Sequence, residues 1–122
     1  MWTDEGTAFD ILTAARHIRE FVAGLTRAEF DDNLLAQSAV LHQIIVLGEA
    51  VKRLSGEFRL AHPSVPWTQI ASMRDRCIHG YDNVDLDRVW EVTQVHSRQL
   101  MDYLEKIVPK PPPDAGPLSK RS

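Results

Sequence analysis

Apolar positions recur at helical spacing along almost the whole chain. Ile11, Ala15, Ile18, Val22 and Leu25 are separated alternately by four and three residues. That step sets them on one stripe of a helix predicted from about Thr7 to Gly24. The step is heptad-like, so a bundle is the natural setting, and Gly24 suits the end of the helix. Thr26, Arg27, Ala28 and Glu29 have the spacing of a capping box, and Asp31, Asp32 and Asn33 offer further caps. A long helix is predicted to follow, to about Leu54. Leu34, Leu35, Val40, Leu41, Ile44, Ile45, Leu47 and Val51 make it apolar over more than one face. Such a helix either lies at the centre of the bundle or packs one face on another subunit.

Ser55-Gly56 interrupts the pattern, and Glu57 to His62 predicts a short turn of helix before Pro63. Pro66 suits a first helical position. A helix from there to about His79 would bury Trp67, Ile70 and Met73 or Ile78, with Gly80 as its end. Asp82, Asn83 and Asp85 form a polar turn in which Asp85 is the best cap. The last helix, about Leu86 to Val108, carries the stripe Leu86, Val89, Trp90, Thr93, Leu100, Leu104 and Ile107. No strand pattern or internal repeat is found. The predicted fold is all-α, an antiparallel bundle of four main helices plus a short one. It occupies residues 1–108. Residues 109–122 hold five of the seven prolines and read as a disordered, Pro-rich tail.

Composition narrows the function classes. With 122 residues, 43% hydrophobic and 25% charged, the chain fits one ordinary soluble domain. A net charge of -3 and a pI near 5.9 argue against a broadly basic nucleic-acid binder. Any RNA contact must then rest on a local arginine cluster. The single cysteine, Cys77, has no partner for an intrachain disulfide or thiolate metal site, which fits a reducing cytoplasm. The N-terminus shows no signal-peptide pattern. The apolar run Ala36 to Gly48 is too short and too polar to predict a membrane span.

The stretch Met73 to Asp85, MRDRCIHGYDNVD, concentrates the candidate chemistry. Metal-free RNA cleavage needs a base for the 2′-hydroxyl proton, an acid for the leaving 5′-oxygen and a cation for the charged phosphorane. Histidine titrates near neutrality and suits both proton transfers. Arginine is always charged and grips phosphate oxygens in a fork. His79 and Arg74 are therefore the candidates, with 2′,3′-cyclic phosphate and 5′-hydroxyl products. A position near a helix C-terminus would favour protonated His79. At helical spacing the two residues lie roughly 140° apart. Either the helix ends near His79 and the chain turns, or the site converges across a subunit boundary. A twofold dimer would also supply a second histidine.

The same stretch closely resembles the signature of HepT-like proteins of the HEPN family. In that signature an arginine and a polar residue are followed by three residues, a histidine, one residue and a tyrosine. Here it reads Arg74, Asp75, His79 and Tyr81. LGEAVKRLS before it, HPSVPW nearer to it and VDLDRVWEV after it resemble the family as well, so the likeness spans about residues 8–108. The resemblance implies the HEPN fold, a homodimer with its site at the interface, and a toxin ribonuclease of a type VII-like toxin–antitoxin pair acting on RNA such as tRNA or mRNA. It implies no metal and no cofactor. It further implies an MntA-like nucleotidyltransferase antitoxin that attaches AMP to the motif tyrosine, which makes Tyr81 the candidate acceptor. An anionic adduct there would occupy the substrate phosphate site. Asp75 departs from the asparagine often found in the family. It adds negative charge beside a phosphate site, or orients Arg74 or Arg76 through an ion pair.

Simpler readings stand beside these. Arg74 and His79 could be a surface ion-pair arginine and a capping histidine, and Tyr81 could pack the turn. Arg76 adds phosphate affinity or is merely solvated. Cys77 reads as a small buried hydrophobe rather than a nucleophile. His17, His42, His62 and His96 lack metal-ligand spacing. Glu49 and Lys52 line a groove or form an ordinary helix-surface pair. Trp67 and Trp90 read as core. As a whole, the chain could also be a non-catalytic HEPN partner that docks to a nucleotidyltransferase and presents Tyr81 or a substrate to it.

Overall fold

The computed structural model describes residues 3–80 and 83–108. Helix α1, Asp4–Phe21, begins earlier than its apolar stripe. The Thr3 hydroxyl accepts the Gly6 N–H at 3.0 Å, and Asp4 and Glu5 occupy the first turn, where carboxylates stabilise a helix. Ile11, Ala15, Ile18 and Val22 are buried. Gly24 takes a left-handed φ of +79° in the turn that follows, a conformation that favours glycine. The capping box at Thr26 and Glu29 forms with both of its bonds, at 2.9 and 3.1 Å. It caps only the short α2, Arg27–Asp31, which plants the fully buried Phe30. The long helix α3, Leu34–Lys52, takes its cap from Asn33, whose side chain accepts the Ala36 N–H at 2.9 Å.

The inner line of α3 is Val40, Ile44, Leu47 and Val51, all without solvent exposure. It is enclosed by α1 and, from later in the chain, by the helical segments 67–71, 73–77 and 86–91. The second apolar face expected from sequence is present and open: Leu34 is 74% exposed, Leu35 81% and Ile45 42%. Taken whole, α3 is long and apolar enough to cross a membrane. The shorter run between Ala36 and Gly48 did not suggest this. Its inner line is nevertheless core. Helix α4, Gly56–Ala61, is capped by Ser55, whose hydroxyl accepts the Phe58 N–H at 3.1 Å. Ser55 also donates from its backbone N–H and its hydroxyl to the Asp4 carboxylate, at 2.9 and 2.6 Å. These bonds pull the Asp4 pKa below its ordinary value.

The single helix expected from Pro66 to His79 is instead two short ones, α5 (Trp67–Ala71) and α6 (Met73–Cys77), with Pro66 as the cap residue of α5. Ser72 breaks them. Its hydroxyl donates to the carbonyls of Thr68 and Gln69 at 3.2 and 3.3 Å, which offers the backbone an alternative to the helical ladder. Packing contributes as well. A Cβ on Gly48 of α3 would stand 3.1 Å from the Ala71 carbonyl oxygen. The glycine therefore lets α3 press directly on the end of α5.

The final helix starts at the Asp85 cap, as expected, with the Arg88 N–H donating to its carboxylate at 3.2 Å. It is not uniform. Helix α7, Leu86–Glu91, passes through a π-helical turn, Val92–His96, into α8, Ser97–Ile107. The wider turn frees the Thr93 carbonyl, which accepts from Arg19 of α1 and from the Ser97 hydroxyl, both at 2.8 Å. Ile107, expected in the buried stripe, is 36% exposed. Trp90 packs on Phe30 with ring centroids 5.2 Å apart. The only strand-like pairing among the described residues is one antiparallel bridge between Ile78 and Val84. The result is the all-α bundle the resemblance implied. The tail 109–122 lies outside the described residues.

Candidate active site

The motif occupies α6 and the turn after it. Met73 and Cys77 stand one helical turn apart and are both buried, which anchors α6 by one face. The three residues between them, Arg74, Asp75 and Arg76, are therefore turned outward and exposed. Arg74 Nη1 donates to Asp75 Oδ1 at 3.2 Å, with the two side chains 50% and 74% exposed. Of the two partners considered for Asp75, the structure pairs it with Arg74.

After Cys77 the chain leaves the helix. Ile78 is extended, with φ -124° and ψ 116°, and half-buried. The His79 N–H donates to the Asn83 carbonyl at 2.7 Å, and the Asp85 N–H donates to the Cys77 carbonyl at 2.7 Å. Gly80 adopts a left-handed φ of +80°, which lets the strand turn immediately after the histidine. His79 was expected at the end of the helix. It sits instead on an extended segment tied at both ends, so the helix stops two residues before it and the chain turns. The rotation between Arg74 and His79 along a helix no longer applies. The backbone of His79 is held, while its ring is exposed and forms no hydrogen bond or ion pair among the described residues. No direct bond joins Arg74 to His79. Tyr81, the candidate acceptor, lies outside the described residues, as does Asp82.

Cys77 is a buried thiol. Burial, with the Asp85 carboxylate second, pushes its pKa up to about 11. It is a core residue that stays protonated at neutral pH, not a nucleophile. Among the described residues no group of three or more His, Cys, Asp or Glu side chains is placed to hold a metal ion.

The flanking segments have structural work. His62 Nδ1 shares a 2.8 Å hydrogen bond with the Tyr103 hydroxyl, and the Trp67 indole donates to the His62 carbonyl at 2.9 Å. HPSVPW thus locks α5 against α8. In LGEAVKRLS, Gly48 provides the close approach already described, and Glu49 and Lys52 form an exposed pair at 3.0 Å. Sequence reasoning missed that Arg76 shares a cleft with Arg88, Glu91 and His96. The available signal was the gap in the apolar stripe between Thr93 and Leu100. Buried Ser97 fills that gap, and the helix widens just before it.

The family model described as "Ribonuclease HepT-like" matches residues 11–107. "Putative RNase MJ0125" of Methanocaldococcus jannaschii is 34% identical over 100 residues, covering 82% of this chain and 86% of the relative. "Probable ribonuclease HepT" of Thermococcus cleftensis is 33% identical over 98 residues, covering 80% and 89%. "Putative RNase TTE0752" of Caldanaerobacter subterraneus subsp. tengcongensis is 34% identical over 100 residues, covering 82% and 89%. No solved structure matches the chain.

Proposed function

Since the chain belongs to the HepT-like ribonuclease family, we propose that it is a metal-independent endoribonuclease acting through Arg74 and His79. The observation that supports this reading is the state of His79. Its backbone is pinned at 2.7 Å to Asn83 while its ring is exposed and unengaged among the described residues, available to exchange a proton with substrate. Arg74, exposed three positions before the helix ends, supplies charge to the phosphorane. In the cleavage step the 2′-oxygen attacks phosphorus as its proton passes to a base. The P–O5′ bond breaks as an acid protonates the leaving oxygen, giving a 2′,3′-cyclic phosphate and a 5′-hydroxyl.

One histidine per motif fills only one of the two proton-transfer roles. A twofold homodimer that brings two motifs into one groove fills both. The open apolar line Leu34, Leu35 and Ile45 on α3 is surface of the kind an interface would cover. Arg76 adds phosphate affinity. The chain acts as the toxin of a toxin–antitoxin pair in the cytoplasm, which a single unpaired cysteine suits. A nucleotidyltransferase antitoxin of the MntA type silences it by transferring AMP from ATP to the Tyr81 hydroxyl, with pyrophosphate leaving.

The test is RNA cleavage by purified protein in the presence of a chelator. Wild type is expected to cut, and His79→Ala and Arg74→Ala to lose the activity. Equal cleavage by all three would mark a contaminant and refute the assignment. The Arg74–Asp75 ion pair favours a second reading, a non-catalytic partner that presents Tyr81 to the transferase. In that case wild type does not cut, while incubation with the transferase and ATP still adds AMP mass that Tyr81→Phe abolishes.

A further inference from the structure

We propose that the pocket beside the π-helical turn receives a nucleobase of the bound RNA strand, while Arg76 and Arg88 hold the adjoining phosphate. This rests on the ribonuclease reading and adds where the strand runs beyond the scissile bond.

Arg74 and Arg76 are two positions apart on α6, so they leave opposite flanks of the helix. Arg74 is engaged by Asp75. The Arg76 flank opens on a cleft of about 40 Å³ between α6 and the final helix, where Arg76, Arg88, Glu91 and His96 stand at apolar walls that include Met73 and Val92. Two permanent cations and a histidine thus face one carboxylate. That carboxylate is partly occupied, with Glu91 Oε1 lying 3.5 Å from His96 Nε2. A cleft of this size is too small for a base but admits phosphate oxygens, and arginine pairs suit them.

Pro66, Ile70 and His96 also line a second pocket, of about 330 Å³. This one is of a different kind. Val65, Leu100 and the Tyr103 ring line it with Ser64 and Gln99, and no Arg, Lys, Asp or Glu is among its walls. It is large enough for a planar base, within the range of small-ligand sites, and has no arginine or lysine in its lining to hold a phosphate. The Tyr103 ring is preset, because its hydroxyl is held by His62 at 2.8 Å. The two cavities therefore divide phosphate from base, as unpaired RNA requires: unstacked bases settle on aromatic and apolar surfaces while cations follow the backbone. His96 stands between them because the π-helical turn places it there. That turn is built into the fold by the bonds from Arg19 and Ser97 to the Thr93 carbonyl. Turns of this type often occur at functional sites.

The test is fluorescence anisotropy of the full chain with a short 2′-O-methyl single-stranded RNA, which lacks the attacking hydroxyl and binds without being cut. Ser64→Trp, at an exposed loop position, fills the pocket mouth. Gln99→Glu, on the exposed surface of α8, sets a carboxylate against the strand and guards against a folding failure in the first variant. Both are expected to weaken binding about tenfold, the scale of one stacked base. Arg76→Ala with Arg88→Ala is expected to flatten the dependence of log affinity on log salt by about 0.7, the single-strand value for one phosphate no longer neutralised. Unchanged RNA affinity in both Ser64→Trp and Gln99→Glu overturns the proposal. A parallel calorimetric titration with AMP separates the sources. Loss of AMP binding in these variants with RNA affinity intact assigns the pocket to a free nucleotide and likewise overturns it. Because nothing is cleaved in these measurements, a wild type that binds through the pocket yet fails to cut RNA refutes the ribonuclease reading and leaves this one standing.

Discussion

Replacing Asp75 with asparagine removes the charge, keeps the shape and asks what the carboxylate does. In the structure Asp75 holds Arg74 Nη1 at 3.2 Å, and both side chains are at least half exposed. An exposed pair of this kind is worth about 0–1 kcal/mol, so freeing Arg74 costs the fold little. Removing the carboxylate also removes its repulsion of substrate phosphate, about 1 kcal/mol for unit charges ~4 Å apart in water. The two contributions together reach at most roughly 2 kcal/mol, which corresponds to a factor of about 5–30. Asp75→Asn is therefore expected to raise kcat/KM for RNA cleavage about fivefold, with a ceiling near thirtyfold. The thermal midpoint should hardly move, since surface substitutions usually stay within about 0.5 kcal/mol. The assay is the initial rate of cleavage of a labelled RNA at low salt and at ~1 M salt, where the Debye length falls to about 3 Å. The gain should shrink at high salt because both contributions are electrostatic and exposed. A loss of activity in Asp75→Asn would refute the reasoning and make Asp75 a residue that orients Arg74 for its task. A gain that survives ~1 M salt would refute the electrostatic account as well.

Other consequences follow from the packing and titration of the fold. Gly48→Val should destabilise the protein by about 1–3 kcal/mol, the usual cost of overpacking. The new Cβ would sit 3.1 Å from a backbone oxygen of α5, and an unchanged thermal midpoint would show that α5 yields freely. Cys77 should resist thiol reagents at neutral pH until the chain is unfolded, and rapid labelling of the native protein would contradict its burial. Because folding raises the pKa of this acid, the folded state holds the proton longer. Stability should therefore fall as pH rises from 9.0 towards about 11, and Cys77→Ser should weaken that decline in denaturant titrations. Asp4 has the opposite sign. Its pKa is lowered by Ser55, so the bond's contribution is present above the ordinary value of 3.8 and lost as pH falls below it. Wild type and Asp4→Asn should differ in thermal midpoint at neutral pH and converge in acid.

What the sequence determined alone is the set of helices and most of their buried lines. Those depend on a 3.6-residue period and on caps that bond within three residues. The stripe of α1, the caps Thr26, Asn33 and Asp85, and the cluster of candidate chemistry around Arg74 and His79 are local in this sense and were legible. The tertiary structure decided the rest. A stripe cannot say which of two apolar faces is covered, so Leu34, Leu35 and Ile45 were read as packing residues and stand open in the single chain. The break at Ser72 joins local hydroxyl bonds to pressure from Gly48 on another helix. The π-helical turn is held by Arg19, 74 residues away from Thr93, and no window of the last helix contains that information. The placement of His79 depends on pairing across a turn, through Asn83 and Val84. The sequence therefore named the residues of the candidate site. Only the fold removed the histidine from the helix and exposed its ring, because the paired backbone bonds that close the turn between Cys77 and Asp85 override local helical preference.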